Sequence, residues 1–204
     1  LAALHALRQV CSHPGLYDSR FDSVAISKVP KLAATMDILR EAMEKQEKVL
    51  IFTFYKKMQV ILKQTIMTEF GINPQIINGE TSYRQLVVDQ FNQSPGFNVM
   101  ILSQQAAGVG LNITGANHVI HYTRWWNPAV ENQATDRAYR IGQKKDVHVY
   151  YPIVKGQGGE TMEEILNTLL RDKEDLADRV LIPSVKLDCS DELLSKLREN
   201  IAFK

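Results

Sequence analysis

Hydrophobic and polar positions along the chain form blocks that predict strands and helices in turn. Short apolar runs rich in β-branched residues predict five strands, at 49–54, 75–77, 99–102, 118–121 and 147–151. The runs are nearly continuous, as in strands that are buried on both faces. Helical patterns lie between them, at 31–45, 57–70, 83–91 and 128–139. This alternation predicts an α/β fold, with a parallel sheet flanked by helices.

Two stretches fall outside the alternation. Residues 1–10 predict a helix that is followed by a loop, and residues 160–180 predict a charged amphipathic helix or helix pair. A last short helix is predicted at 191–198. We therefore divide the chain into three parts. They are an N-terminal helix with its connecting loop (1–30), a central α/β domain (31–155) and C-terminal flanking helices (156–204).

Composition narrows the class of protein. The 204 residues are 45% hydrophobic and 23% charged, enough for one sizeable core. The formal net charge is +1, so any attraction for nucleic acid has to come from a local patch. We expect no membrane span and no signal peptide, because no apolar run approaches about 20 residues. An intracellular location is the resulting expectation.

The cysteines indicate neither a disulfide framework nor a zinc site. Cys11 and Cys189 are the only two, and they lie far apart in the sequence. Cys11 and His13 supply two ligands where a structural zinc ion needs four. We therefore predict that this chain binds no metal.

A loop with glycines follows the strand predicted at 99–102. In an open parallel sheet, ligands meet the loops beyond the carboxyl ends of the strands. The loop at 103–112 contains Gly108 and Gly110, where backbone amides can approach phosphate oxygens closely. A plain tight turn explains the same spacing equally well.

Gln133, Arg137 and Arg140 are spaced four and three apart on the helix predicted at 128–139, so they are expected to project from one face. One interpretation is a solvated face on which an arginine pairs with Glu131 or Asp136. The other is a pair of arginines directed at a nucleotide phosphate across a cleft. Spacing alone leaves both open.

Aromatic and basic residues beside these loops have ordinary interpretations. Trp125 and Trp126 lie at a strand-to-helix junction, where packing is the commoner role. Lys144 and Lys145 are typical of a solvated surface unless a backbone or carboxylate partner exists.

The text of several segments resembles Swi/Snf-type, DNA-dependent ATPases. Residues 133–143 match the family's last helicase motif, Gln-Ala-x-x-Arg-x-x-Arg-Ile-Gly-Gln, and this match is highly specific. Residues 106–112 and 126–128 are similar to its fifth motif and the extension of that motif. Residues 7–14 and 48–58 resemble its Leu-Arg-x-x-Cys-x-His-Pro segment and its fourth motif.

The resemblance implies the C-terminal one of two RecA-like lobes, with ATP between the lobes and double-stranded DNA across both. In such ATPases the N-terminal lobe of the same polypeptide holds most of the ATP and Mg²⁺. Its phosphate-binding Gly-x-x-x-x-Gly-Lys-Ser/Thr loop does not occur here, nor does its Asp-Glu-x-His box. We therefore expect this chain to be inert by itself.

The same resemblance assigns roles to individual residues. It implies that Arg137 and Arg140 are catalytic arginine fingers. The implied nucleotide-binding residues are Gly108, Gly110 and Gln133, and the implied DNA-binding residues are Thr53, Ser103, Gln105, Asn112 and Trp126. Gln105 stands where the family often has Lys or Arg, and Ala107 where it often has Gly. A missing cation removes one counterion-release contribution, which lowers the expected DNA affinity of this lobe.

The functional expectation is the second motor lobe of an ATP-dependent double-stranded DNA translocase or remodeller. Two alternatives stay open at this point. One is a lobe of a strand-separating or RNA helicase, which strand displacement by the full-length protein would reveal. The other is a catalytically dead nucleic-acid-binding scaffold, which requires a full-length protein that does not hydrolyse ATP.

Overall fold

The computed structural model describes residues 2–107, 110–179, 192–193 and 195–196. The strands are β1 (Lys48–Phe52), β2 (Gln75–Ile77), β3 (Asn98–Leu102), β4 (His118–His121) and β5 (His148–Tyr150). The helices are α1 (Ala2–Ser12), α2 (Pro14–Tyr17), α3 (Pro30–Glu44), α4 (Lys56–Phe70), α5 (Arg84–Gln93), α6 (Gln104–Ala107), α7 (Pro128–Thr135) and α8 (Met162–Arg179). Two 3₁₀ turns, Ser19–Phe21 and Ile26–Lys28, join α2 to α3.

The five strands form one sheet in the order β2-β3-β1-β4-β5, and every neighbouring pair is parallel. In the centre of the sheet Leu50 lies opposite both Met100 and Val119. The predicted α/β fold with a parallel sheet is therefore confirmed. Parallel strands need crossover connections, and helices supply most of them.

Both faces of the sheet are covered. Along β1, Val49 and Ile51 pack into a cluster that contains Leu39 and Leu62, from α3 and α4. Leu50 and its neighbours on the other face pack into a cluster with residues of α5 and α7. Successive side chains of a strand point to opposite faces, so this two-sided burial explains the nearly continuous apolar runs.

Helices α1 and α8 pack together against the central domain. Leu4 of α1 belongs to a buried cluster with Ile165 and Leu169 of α8. A buried ion pair between Lys31 and Glu163 fastens α8 to the start of α3. The helices predicted at 1–10 and 160–180 are therefore present. The helix predicted at 191–198 lies outside the described residues, apart from 192–193 and 195–196.

The termini of the helices follow local chemistry. Pro30 and Pro128 occupy the first turns of α3 and α7, where no intrahelical partner for their missing N–H is needed. The side chain of Asn127 accepts the amide of Ala129 and so caps α7. Helix α4 ends at Phe70 and is capped by Gly71, whose φ of +68° is the left-handed conformation of a helix C-cap.

Candidate functional site

A cavity of about 790 Å³ lies beside α7 and the turn that follows it. Its walls are formed by Gln133, Asp136, Arg137, Tyr139, Arg140, Ile141, Gln143 and Lys145. Three of these side chains are cations and one is an anion, so the walls are positive on balance. The three clustered residues predicted from the sequence, Gln133, Arg137 and Arg140, all line this one cavity.

Helix α7 is shorter than the sequence pattern predicts. It ends at Thr135, whereas the pattern extends to residue 139. The backbone oxygen of Arg137 accepts the amide of Ile113 at 2.9 Å, so it does not serve a further helical turn. The expectation of one shared helical face is therefore wrong. Gln133 lies on α7, and consecutive turns beyond the helix bring Arg137 and Arg140 to the same cavity.

The turn is fastened to the loop that leads into β4. The side-chain nitrogen of Gln143 donates to the backbone oxygens of Thr114 and Ala116, at 3.2 and 2.7 Å. Its side-chain oxygen accepts the amides of Lys144 and Lys145, each at 2.9 Å. One glutamine thus fixes residues 136–145, which we call the arginine turn, against the sheet. The cavity consequently lies toward the amino end of β4, not at the carboxyl edge.

Neither Arg137 nor Arg140 forms an ion pair with a residue that the structure describes. Glu131, one of the two expected partners, is bound by Arg124 at 2.7 Å. Nε of Arg137 is buried, and none of the described residues is its hydrogen-bond partner. A buried donor without an acceptor costs about 1–3 kcal/mol. The ion-pair interpretation is therefore wrong, and the guanidinium groups suit an acceptor that comes from outside the chain.

Lys145, at the edge of the cavity, has a partner that the sequence did not indicate. Its Nζ lies 2.9 Å from Oε1 of Glu47, and Oε2 of Glu47 lies 2.6 Å from Nε2 of His118. Partial burial raises the pKa of Glu47, but hydrogen bonds from His118, Lys145 and Asn117 outweigh it and lower the pKa to about 2. Glu47 is thus an anion that holds Lys145 beside the cavity. Since 98 residues separate the pair, no local pattern reveals it.

Of the two predicted nucleotide-binding glycines, the structure describes only one. Gly108 lies outside the described residues. Gly110 is exposed, with a φ of +66°, and its backbone oxygen lies 3.5 Å from Nη1 of Arg140. The glycine loop and the arginine turn therefore meet at Arg140, which lines the cavity together with Gln133.

Two of the predicted DNA-binding residues are withdrawn from the surface. Thr53 is fully buried, and its hydroxyl lies 2.8 Å from that of Thr123. Ser103 is 9% exposed, and its Oγ accepts the amide of Ala106 at 3.1 Å, at the start of α6. In this conformation Thr53 cannot touch DNA. Both residues instead support the loops at the carboxyl edge.

The other three predicted DNA-binding residues are more accessible. Gln105 is exposed on α6, directly after β3. Asn112 is also exposed, but it belongs to the loop beside the arginine turn. Trp126 is half-buried, with its ring stacked on the guanidinium of Arg8 at 4.1 Å. The five predicted residues therefore do not form one continuous surface, and Gln105 is the one that presents a free side chain at the carboxyl edge.

The Cys-x-His segment serves the fold. Nδ1 of His13 accepts the amide of Gly15 at 3.0 Å and caps α2. Among the described residues, no group of three or more His, Cys, Asp or Glu side chains is arranged to hold a metal ion. Every helix in the described part of the chain is too short or too polar to cross a membrane.

The helicase conserved C-terminal domain family matches residues 30–142 of this chain. The match covers more than half of the 204 residues and includes all of the first four strands, α7 and most of the arginine turn. The chain therefore belongs to this family.

Two curated relatives match about nine tenths of the chain. The Zorya protein ZorD of Escherichia coli O139:H28 is 45% identical over 201 residues, which cover 94% of this chain and 18% of ZorD. YwqA of Bacillus subtilis (strain 168), a proposed ATP-dependent helicase/translocase, is 43% identical over 185 residues, covering 89% of this chain and 19% of YwqA. The chain thus spans about a fifth of the length of these relatives.

A solved structure agrees with the fold. The Sulfolobus solfataricus SWI2/SNF2 ATPase core in complex with dsDNA has a TM-score of 0.70 and 36% identity to this chain. The alignment covers 86% of this chain and 36% of that structure. The parallel sheet and its flanking helices are accordingly those of a RecA-like helicase C-terminal lobe.

Proposed function

We propose that this chain is the second motor lobe of an ATP-dependent translocase on double-stranded DNA, in which Arg137 and Arg140 act as arginine fingers. One observation carries the proposal. Both guanidinium groups border a single positive cavity, and among the described residues they have no ion pair and Nε of Arg137, which is buried, has no acceptor. A guanidinium offers a planar fork of donors that matches phosphate oxygens. Arginines so placed stabilise the charge of a phosphoryl group in the transition state.

ATP with Mg²⁺ supplies the phosphoryl group that is transferred to water. The donors on this chain suit its polyphosphate: Lys145, the amide side chain of Gln133, and two arginines that form no ion pair with a described residue. In the proposal the N-terminal lobe of the same polypeptide holds most of the nucleotide and the metal ion. The arginines approach the γ-phosphate when the two lobes close, and Gly110 shapes the loop beside them.

Duplex DNA is the proposed track, along the carboxyl edge of the sheet. The similarity to a Swi2/Snf2 core captured with double-stranded DNA supports this choice of partner. Gln105 is the exposed contact at this edge, while Ser103, Thr53 and Trp126 hold the loops that carry the surface. Side chains that touch phosphates position a protein without reading bases, so we expect weak, salt-sensitive binding with little sequence preference.

The test replaces each arginine in the full-length protein. Arg137→Ala or Arg140→Ala should lower DNA-stimulated ATP turnover by about 10³-fold, the scale of an arginine finger, with folding and duplex binding nearly unchanged. Lysine should not rescue either position, because an ammonium lacks the planar fork. Arg20→Ala is the control, since this arginine is exposed and pairs locally with Asp18. Near-normal turnover together with lowered thermal stability would mean that the arginines are structural.

Two further measurements separate the alternatives. The isolated chain should show no ATP turnover above background, with or without duplex DNA. Strand displacement by the full-length protein would contradict duplex translocation while leaving the arginine roles intact. Absence of ATP hydrolysis in the full-length protein would instead favour a scaffold.

A further inference from the structure

Arg124, in the segment between β4 and α7, uses its guanidinium to bind two helices. Its Nε lies 3.0 Å from both carboxylate oxygens of Glu131 on α7, and its Nη2 lies 2.7 Å from Oε2. Its Nη1 donates to Oδ1 of Asn167 on α8 at 2.6 Å. The side chains of Arg124 and Glu131 are 3% and 0% exposed. One buried cation therefore links α7 to α8.

Helix α1 reaches the same residue through its backbone. Nη2 of Arg8 donates to the backbone oxygen of Arg124. The guanidinium of Arg8 is itself held between two rings, 4.2 Å from the centre of Phe54 and 4.1 Å from that of Trp126. The ring of Tyr151 covers the guanidinium of Arg124 at 4.1 Å. Both flanking helices thus converge on Arg124.

Glu131 connects Arg124 to the candidate site. Glu131 also accepts the amide of Trp125 at 2.6 Å, so its carboxylate is bound from two sides. Gln133 follows two residues later, and α7 ends at Thr135, where the arginine turn begins. Arg124 is thus bonded to Glu131 on the short helix that leads directly to Arg137.

We propose that Arg124 is a positioning residue that couples α1 and α8 to the arginine turn. Movement of α8 relative to the sheet changes the placement of the arginines and therefore the rate of ATP turnover. The proposal rests on the function proposed above for that turn. A buried ion pair is by itself weak support for stability, because desolvation offsets much of the attraction. The third link, to Asn167, is what a merely structural pair would not need.

Asn167 allows a test that spares the fold. It is half-buried, and Asn167→Ala removes the link to α8 but leaves the Arg124–Glu131 pair in place. In the full-length protein we expect kcat for DNA-stimulated ATP turnover to fall about 2- to 30-fold, the range seen for residues that act on a site without touching its ligand. KM for ATP should change little, because the fingers act in the transition state. Asn167→Asp keeps the acceptor oxygen and should restore turnover.

Thr168→Ala is the matched control. Thr168 is the next residue of α8, is exposed, and its hydroxyl donates only to the backbone oxygen of Glu164 in its own helix, at 3.1 Å. This variant should turn over ATP at the normal rate.

A double-mutant cycle identifies the route of the effect. If Asn167 acts through the arginine turn, Asn167→Ala should cause little further loss in an Arg137→Lys background. The same fold-loss in both backgrounds overturns the proposal, as does a normal kcat for Asn167→Ala. If Asn167→Ala turns over ATP at the normal rate while Arg137→Ala loses most of its turnover, the positioning role of Arg124 is wrong and the finger assignment stands. Near-normal turnover of Arg137→Ala overturns the finger assignment and the route proposed here.

Discussion

Nη1 of Arg140 lies 3.5 Å from the backbone oxygen of Gly110, across 30 positions of the sequence. This contact joins the arginine turn to the glycine loop that follows β3. Gly110 has a φ of +66°, a left-handed conformation that residues with a side chain seldom adopt. The path of the loop toward Arg140 therefore depends on the residue at position 110.

Replacing this glycine should cost stability through the backbone alone. A Cβ at Gly110 meets no atom within 4 Å, so Gly110→Ala introduces strain without a clash. We expect the free energy of unfolding to fall by about 1–2 kcal/mol, measured by urea denaturation. Gly79→Ala is the control, because Gly79 has equal space and no positive φ. Equal losses in the two variants would contradict the conformational explanation.

Restoring a cation at Gln105 should strengthen DNA binding by the full-length protein. Gln105 is exposed just beyond the carboxyl end of β3. If Gln105→Lys gains one phosphate contact, log K against log salt should steepen by about 0.9. Gln93→Lys adds the same charge near the amino end of β3, where no such change is expected. Identical salt slopes for the two variants would place the track elsewhere.

The three central strands, β1, β3 and β4, were predictable because they are buried on both faces. In β3 four consecutive residues are fully buried: Val99, Met100, Ile101 and Leu102. Its apolar run is therefore not interrupted by an exposed polar position. The end of α7 was not predictable. Two residues beyond that end, the backbone oxygen of Arg137 accepts the amide of Ile113, from a loop 24 positions earlier, and so does not continue the helix. The helical spacing of apolar residues contains no information about a hydrogen bond from a segment that is distant in the sequence.

The candidate site was predictable in part for the same reason. The spacing of Gln133, Arg137 and Arg140 identified residues that do line one cavity. It did not reveal that Arg124 takes Glu131 and leaves the two arginines unpaired. It also did not show that Thr53 is buried. Each of these outcomes depends on tertiary packing.

His121, in β4, should make the protein sensitive to mild acid. Burial, followed by the charge of Arg124, lowers the pKa of His121 to about 3. In the unfolded chain a histidine titrates near 6.5. Below that pH His121 is protonated in the unfolded state but stays neutral in the folded state. This contribution to stability is therefore fully present above pH 6.5 and is lost as the pH falls toward 3, by at most about 1.4 kcal/mol per pH unit.

His121→Phe isolates this effect. The imidazole stacks between Phe52 and Tyr151, with ring centres 5.5 and 5.1 Å away, and a phenyl ring can keep both contacts. Its Nδ1 has no partner in the described part of the chain, so the substitution there removes only the hydrogen bond between Nε2 and Thr135. Thr135→Val removes the same bond and retains the imidazole. In urea denaturation at pH 7, 6 and 5, His121→Phe should lose stability less steeply than the unmodified chain, whereas Thr135→Val should run parallel to it. If His121→Phe also runs parallel, His121 does not titrate between the folded and unfolded states in this range.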